Sequence, residues 1–68
     1  MNRANMIDVS EIGNIKEIRE KMGLTQCKVA KHCGVSLQAY YRWENGITKL
    51  IKEENYEKLC EILGVKVG

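Results

Sequence analysis

Apolar residues recur at helical spacing in four separate stretches of the chain. Intervals of three and four residues place side chains on one face of an α-helix. The clearest stripe consists of Tyr56, Leu59, Cys60 and Leu63, and charged residues fill the positions between them. The pattern predicts four helices, over residues 10–22, 25–33, 36–44 and 52–63.

Residues that favour helix ends bound these stretches. Ser10, Thr25 and Ser36 are predicted to cap the first three helices, because a side-chain hydroxyl can accept a hydrogen bond from a free backbone N–H of the first turn. Gly34 is predicted to adopt a left-handed backbone conformation and to end the second helix in a sharp turn. The second and third helices are therefore expected to follow each other closely.

The segments outside the helices are short. Residues 1–9 lack clean periodicity and are expected to form a flexible N-terminal arm, which leaves residues 10–68 as one domain. Asn45-Gly46 indicates a turn, residues 47–51 a loop, and residues 65–68 either a frayed end or a short contact strand. The sequence thus predicts an all-α fold, a compact bundle of four to five helices.

The composition fits a single small domain. Of the 68 residues, 44% are hydrophobic and 29% are charged, which is typical of a chain that folds. No apolar run approaches the roughly 20 residues that a membrane span requires. The N-terminus lacks the apolar region of an export signal, so we expect the three cysteines to be reduced thiols and the chain to be cytoplasmic.

The candidate metal ligands have an unfavourable spacing. They are Cys27, His32, Cys33 and Cys60. Cys27 and His32 diverge on a helix, and the cysteines lack the close pairing of zinc sites. The sequence also lacks a glycine-rich phosphate loop and a nucleophile beside an evident base. We therefore expect no metal, no cofactor, no small-molecule substrate and no enzymatic activity.

Positive charge is concentrated in the middle of the chain. The segment from Thr25 to Lys52 has a net charge of +4, whereas the rest of the chain has a net charge of −2. The five basic residues of this segment are Lys28, Lys31, Arg42, Lys49 and Lys52. A surface that meets nucleic-acid phosphates is expected to have this character.

The third predicted helix has two chemically different sides. At about 100° per residue, Tyr40 and Trp43 lie together on the side expected to enter the core. The opposite side carries Leu37, Gln38, Tyr41 and Arg42. Guanidinium, amide and aliphatic groups can read base edges in DNA, and this side has no acid that would repel phosphate. The pattern predicts a helix that reads DNA.

The close succession of the second and third helices indicates a helix-turn-helix over about residues 26–43. Ala30 is small enough for the point where the two helices cross, Gly34 permits the turn, and Val35 supplies an apolar contact that locks the pair. Such a unit lets one helix support another in a groove of DNA.

The chain resembles the lambda-repressor-like, XRE/Cro-type helix-turn-helix family from Ile12-Gly13 through Gly46. The segments that match the pattern of that family in order and spacing are Ile18-Arg19-Glu20, Gly23-Leu24-Thr25-Gln26, Val29-Ala30, Gly34-Val35-Ser36 and Trp43-Glu44-Asn45-Gly46. The chain departs from the family at Tyr40, which is large where the family prefers Ile or Val, and at Leu37, where the family often has a polar residue.

The resemblance implies roles for residues that would hold the DNA backbone. Gln26 would bind a phosphate and brace the reading helix, and the N-terminus of a helix suits an anion. Asn45 and Lys49, just after the reading helix, would also hold the backbone. Independently of the resemblance, Lys28 is either a further phosphate contact or a solvated residue of the second helix. Arg3, in the predicted arm, is either a minor-groove contact or part of a disordered tail.

The resemblance also implies which residues read bases and which hold the fold. Leu37 and Gln38 would approach the bases first, with Tyr41 and Arg42 one turn later. Arg19 would pair with Glu44 and tie the first helix to the end of the third.

The function expected from this resemblance is a transcriptional regulator, in particular a repressor, that binds double-stranded DNA as a homodimer on a pseudo-palindrome. Two alternatives remain open at this point. The chain is an antitoxin that also binds a toxin protein, or it is a protein-interaction module that has lost DNA binding. Failure to retard any duplex at low salt would favour the second alternative.

Overall fold

The computed structural model describes residues 5–65, in which four α-helices pack around one core beside a small two-stranded sheet. The elements along the chain are β1 (Met6–Asp8), a 3-10 helix (Val9–Glu11), α1 (Ile15–Lys21), α2 (Gln26–Cys33), α3 (Leu37–Glu44), β2 (Leu50–Lys52) and α4 (Glu53–Leu63). The prediction of four helices is confirmed for this part of the chain. Arg3, for which two alternatives were open, and most of the tail over residues 65–68 lie outside the described residues.

The first helix begins at Ile15 rather than at Ser10. Gly13 has a φ of +114°, which interrupts helical geometry before α1 can form. Asn14 then caps α1, because its side chain accepts a hydrogen bond from the backbone N–H of Glu17 at 3.1 Å. Ser10 instead lies in the 3-10 helix, where its N–H donates to Asp8. The predicted cap is therefore wrong.

The expectation of an all-α fold is also wrong in one part, because β1 pairs with β2 in an antiparallel sheet. Ile7 lies opposite Ile51, and both face the core, while Met6 and Leu50 lie on the outer side and are about half exposed. Residues 6–8 of the predicted arm and residues 50–51 of the predicted loop therefore form strands. The pairing ties the start of the described chain to the segment that leads into α4.

The core lies where α2, α3 and α4 meet. The predicted stripe of α4 is buried. Leu59 and Cys60 are fully buried, and Tyr56 and Leu63 are almost fully buried. Val29 of α2 is also fully buried. Burial of a large aliphatic or aromatic side chain stabilises a fold by about 1.5–3 kcal/mol. This core fixes α2 and α3 relative to each other and leaves the outer side of α3 exposed.

Among the described helices, none is long and apolar enough to cross a membrane.

Candidate functional site

Helices α2 and α3 form a tight helix-turn-helix unit. Thr25 caps α2 and Ser36 caps α3, since each hydroxyl accepts a hydrogen bond from a backbone N–H of the first turn. Gly34 has a φ of +72°, in the left-handed region that the sequence predicted. The N–H of Val35 then donates to the carbonyl of Ala30 at 3.0 Å. These local bonds end α2 and start α3 within three residues.

The inner face of α3 packs firmly against the core. Tyr40 is fully buried and Trp43 is 6% exposed, and their rings meet edge to face with centroids 5.8 Å apart. Ala30, on the neighbouring helix, is also buried. Both rings therefore belong to the hydrophobic core, and they fix how α3 is rotated about its axis.

The outer face of α3 is exposed. Leu37 is 48% and Tyr41 50% exposed, and Gln38 and Arg42 are exposed as well. Glu44 is the single acid of α3, and its side chain is only 1% exposed. The structure thus brings the four residues predicted to read bases together on one accessible, acid-free face.

A chain of hydrogen bonds links this helix to α1 and α2 through the carboxylate of Glu44. The Nε of Arg19 donates to Oε2 of Glu44 at 2.5 Å, and the Nε2 of Gln26 donates to Oε1 at 2.8 Å. The guanidinium of Arg19 also donates to the carbonyl of Leu24 at 2.7 Å. One buried carboxylate therefore connects three helices. The resemblance implied a phosphate contact for Gln26, and in this structure its side-chain amide donates to Glu44. The resemblance also implied the pairing of Arg19 with Glu44, and the structure contains that bond.

The environment of this carboxylate sets its charge. Burial alone would raise the pKa of Glu44, but hydrogen bonds from Arg19 and Gln26, together with the nearby hydroxyl of Tyr40, outweigh burial and hold that pKa below its usual value. Burial raises the pKa of Tyr40, and the nearby Glu44 carboxylate adds to the effect. At neutral pH the network therefore contains an ionised Glu44 and a protonated Tyr40.

We expect the stability of the fold to depend on this ionisation. Because the pKa of Glu44 is lower in the folded chain than in the unfolded chain, the ionised form stabilises the fold at every pH above the ordinary carboxyl pKa of 4.5. That contribution is lost as the pH falls through the lowered pKa. The free energy of unfolding can be measured with urea at pH 6 and at pH 3. Between these two pH values it should fall more for the unmodified chain than for Glu44→Gln. Equal losses would contradict this assignment.

The residues predicted to hold the DNA backbone lie on α2 and directly after α3. Lys28 on α2 and Lys49 after α3 are exposed. Asn45 is exposed as well, and its side-chain amide donates to the carbonyl of Tyr41 at 2.8 Å, so that it caps the end of α3. With Glu44 buried in its network, the exposed Lys, Arg, Asp and Glu residues between positions 25 and 52 are all basic.

One contact between helices had no signal in the sequence. The Nε2 of His32 lies 2.8 Å from Oε1 of Glu61, which joins α2 to α4. The two residues are 29 positions apart, so that no local pattern indicates their proximity.

The cysteines are free thiols in this structure. Cys27 is exposed, whereas Cys33 and Cys60 are buried. Burial raises the pKa of Cys33 to about 11, so it stays a neutral thiol at physiological pH. Within residues 5–65 no group of three potential ligands is placed to hold a metal ion. Cys33 and Cys60 therefore act as core residues.

A protein family described as helix-turn-helix matches residues 15–68. The glutamine–fructose-6-phosphate aminotransferase (isomerizing) of Methanocaldococcus jannaschii is 34% identical to the chain over 65 residues. That match covers 96% of the chain but only 6% of the length of the aminotransferase. No solved structure matches the chain.

Proposed function

Because the chain belongs to the lambda-repressor-like, XRE/Cro-type helix-turn-helix family of DNA-binding regulators, we propose that it represses transcription by binding operator DNA, with α3 in the major groove. Binding alone is sufficient for this role, since a protein that occupies an operator blocks access to the DNA beneath it.

The outer face of α3 is the observation that carries this proposal. The major groove of B-DNA is wide enough to admit an α-helix. Arg42 would donate to a guanine, Gln38 would pair with an adenine, and Leu37 would contact a thymine methyl group. Tyr41 would contact the DNA beside Arg42. A face without acids meets no repulsion from the phosphates on either side of the groove.

The residues on α2 and directly after α3 would fix the position of α3 on the duplex. Gln26 and Lys28 lie at the start of α2, where the positive end of the helix also attracts a phosphate. Asn45 and Lys49 follow the end of α3. Contacts of this kind position a protein without reading sequence.

We further propose that the chain acts as a homodimer. A single helix of eight residues reaches only a few base pairs, which is too few to specify one site in a genome. Two copies related by a two-fold axis would read a pseudo-palindrome with half-sites about 34 Å apart, or a multiple of that distance.

Selection of bound duplexes from a random library tests the proposal. We expect enrichment of a sequence with two related half-sites, and an affinity for the selected duplex that falls steeply with salt. A dimer with six to ten phosphate contacts should lose about 10³-fold or more in affinity between 50 and 200 mM salt. If no duplex is retained even at low salt, the proposed function is wrong.

A further inference from the structure

The hydroxyl of Tyr40 is a buried polar group that the proposed function does not use. Tyr40 is 0% exposed, and its hydroxyl has no hydrogen-bond partner among residues 5–65. A buried hydroxyl without a partner is unfavourable and calls for an explanation. Tyr40 is also one of the positions at which the chain departs from its family, where an aliphatic residue would bring no hydroxyl into the core.

The hydroxyl lies beside the carboxylate of Glu44, one helical turn further along α3. Residues four positions apart on a helix lie on the same side of it, and the side chains of both Tyr40 and Glu44 are buried there. The raised pKa of Tyr40, caused first by burial and next by Glu44, agrees with this proximity. A tyrosine that keeps its proton is a hydrogen-bond donor. The carboxylate next to it already accepts hydrogen bonds from Arg19 and Gln26. Tyr40 is therefore a third donor beside an acceptor whose other donors are in place.

One of those two donors has a second role in the proposed function. Gln26 would donate to a DNA phosphate, yet in this structure its amide nitrogen donates to Glu44 at 2.8 Å. Turning Gln26 outward would remove a hydrogen bond from a carboxylate whose side chain is 1% exposed. The loss would oppose DNA binding unless another donor took its place.

Resting on the proposed DNA-binding function, we propose that Tyr40 is a positioning residue whose hydroxyl replaces Gln26 as a donor to Glu44 when Gln26 turns to a DNA phosphate. In the free protein Gln26 satisfies the carboxylate and the hydroxyl waits without a partner. In the complex the hydroxyl satisfies the carboxylate and Gln26 satisfies the phosphate. The exchange leaves no buried polar group of the network unpaired on DNA.

The exchange predicts a crossed pattern for Tyr40→Phe, a change that removes only the hydroxyl. In the chain with Gln26, the variant should unfold at the same urea concentration as the unmodified chain, or at a higher one. In the Gln26→Ala background Glu44 must take the hydroxyl in the free state too, so Tyr40→Phe should lower the urea midpoint. Tyr56→Phe, which removes a hydroxyl from α4, is the matched control and should have the same effect in both backgrounds.

DNA affinity should follow the opposite pattern. With Gln26 present, Tyr40→Phe should weaken binding of the selected duplex about tenfold, which corresponds to the loss of one hydrogen bond. In the Gln26→Ala background the same change should alter the Kd less than twofold, because the hydroxyl then has the same partner before and after binding.

The other outcomes separate the two proposals. If Tyr40→Phe weakens DNA binding equally in both backgrounds, the role of Tyr40 is merely structural and the exchange is overturned. An unchanged Kd with Gln26 present would also overturn it, since Gln26 would then hold Glu44 and the phosphate together. Absence of binding by the unmodified chain would overturn the proposed function, and this inference with it.

Discussion

Arg19→Ala is expected to destabilise the fold by about 3–5 kcal/mol, which is most or all of the stability of a domain this small. The side chain of Glu44 is only 1% exposed, and the substitution leaves its carboxylate without a cation. It also removes the hydrogen bond to the carbonyl of Leu24. Thermal or urea unfolding followed by circular dichroism measures the effect, and the variant should be largely unfolded at 37 °C.

Two variants show whether the cause is the unpaired charge. The double substitution Arg19→Met with Glu44→Leu removes both charges and keeps apolar volume, so it should recover most of the lost stability. Arg42→Ala removes an exposed arginine and should change stability by less than about 0.5 kcal/mol. A loss below about 1 kcal/mol for Arg19→Ala would contradict the central place of this ion pair in the fold.

Arg42→Ala is expected to relax base preference at one position of each half-site by about 1–3 kcal/mol, or roughly 5- to 150-fold. The guanidinium lies on the exposed face of α3, where it could donate two hydrogen bonds to one guanine. Competition binding with duplexes changed at each position of the selected operator measures the effect. Discrimination should fall at one base pair per half-site and persist at the others.

Two lysines serve as controls for this measurement. Lys49→Ala should weaken binding to all duplexes about equally, because a phosphate contact carries no sequence information. Lys58→Ala, on α4, should leave DNA binding unchanged, since α4 is not part of the surface proposed to contact DNA. If Arg42→Ala behaves like either control, then Arg42 does not read a base.

The helix-turn-helix was predictable because its signals are local. The hydroxyl of Thr25, the left-handed glycine at position 34 and the hydroxyl of Ser36 each act within one turn of helix. Helical periodicity then separates the buried Tyr40 and Trp43 from the exposed side of α3. Interactions over three or four residues can be read from one sequence because the chain itself brings them together.

The small sheet was missed because its partners are distant in the chain. Each strand has only three residues, and Ile7 and Ile51 meet through a contact that spans most of the domain. A strand this short has no reliable alternation of its own. The late start of α1 did have a signal, since Gly13 disfavours the interior of a helix.

The hydrogen bonds of the candidate site were only partly predictable. Pairing of Arg19 with Glu44 followed from the resemblance to a family. The bond from Gln26 to Glu44 and the unpartnered hydroxyl of Tyr40 depend on the rotamers of side chains from three helices. Such rotamers are fixed by packing of the whole domain.

The central claim is that the outer face of α3 enters the major groove. Nuclear Overhauser effects between the chain and its selected duplex test this claim most directly. We predict cross-peaks from the methyl protons of Leu37 and the ring protons of Tyr41 to thymine methyl and cytosine H5 protons, which line the major groove. Cross-peaks from other helices to the duplex, with none from these two residues, would contradict the account.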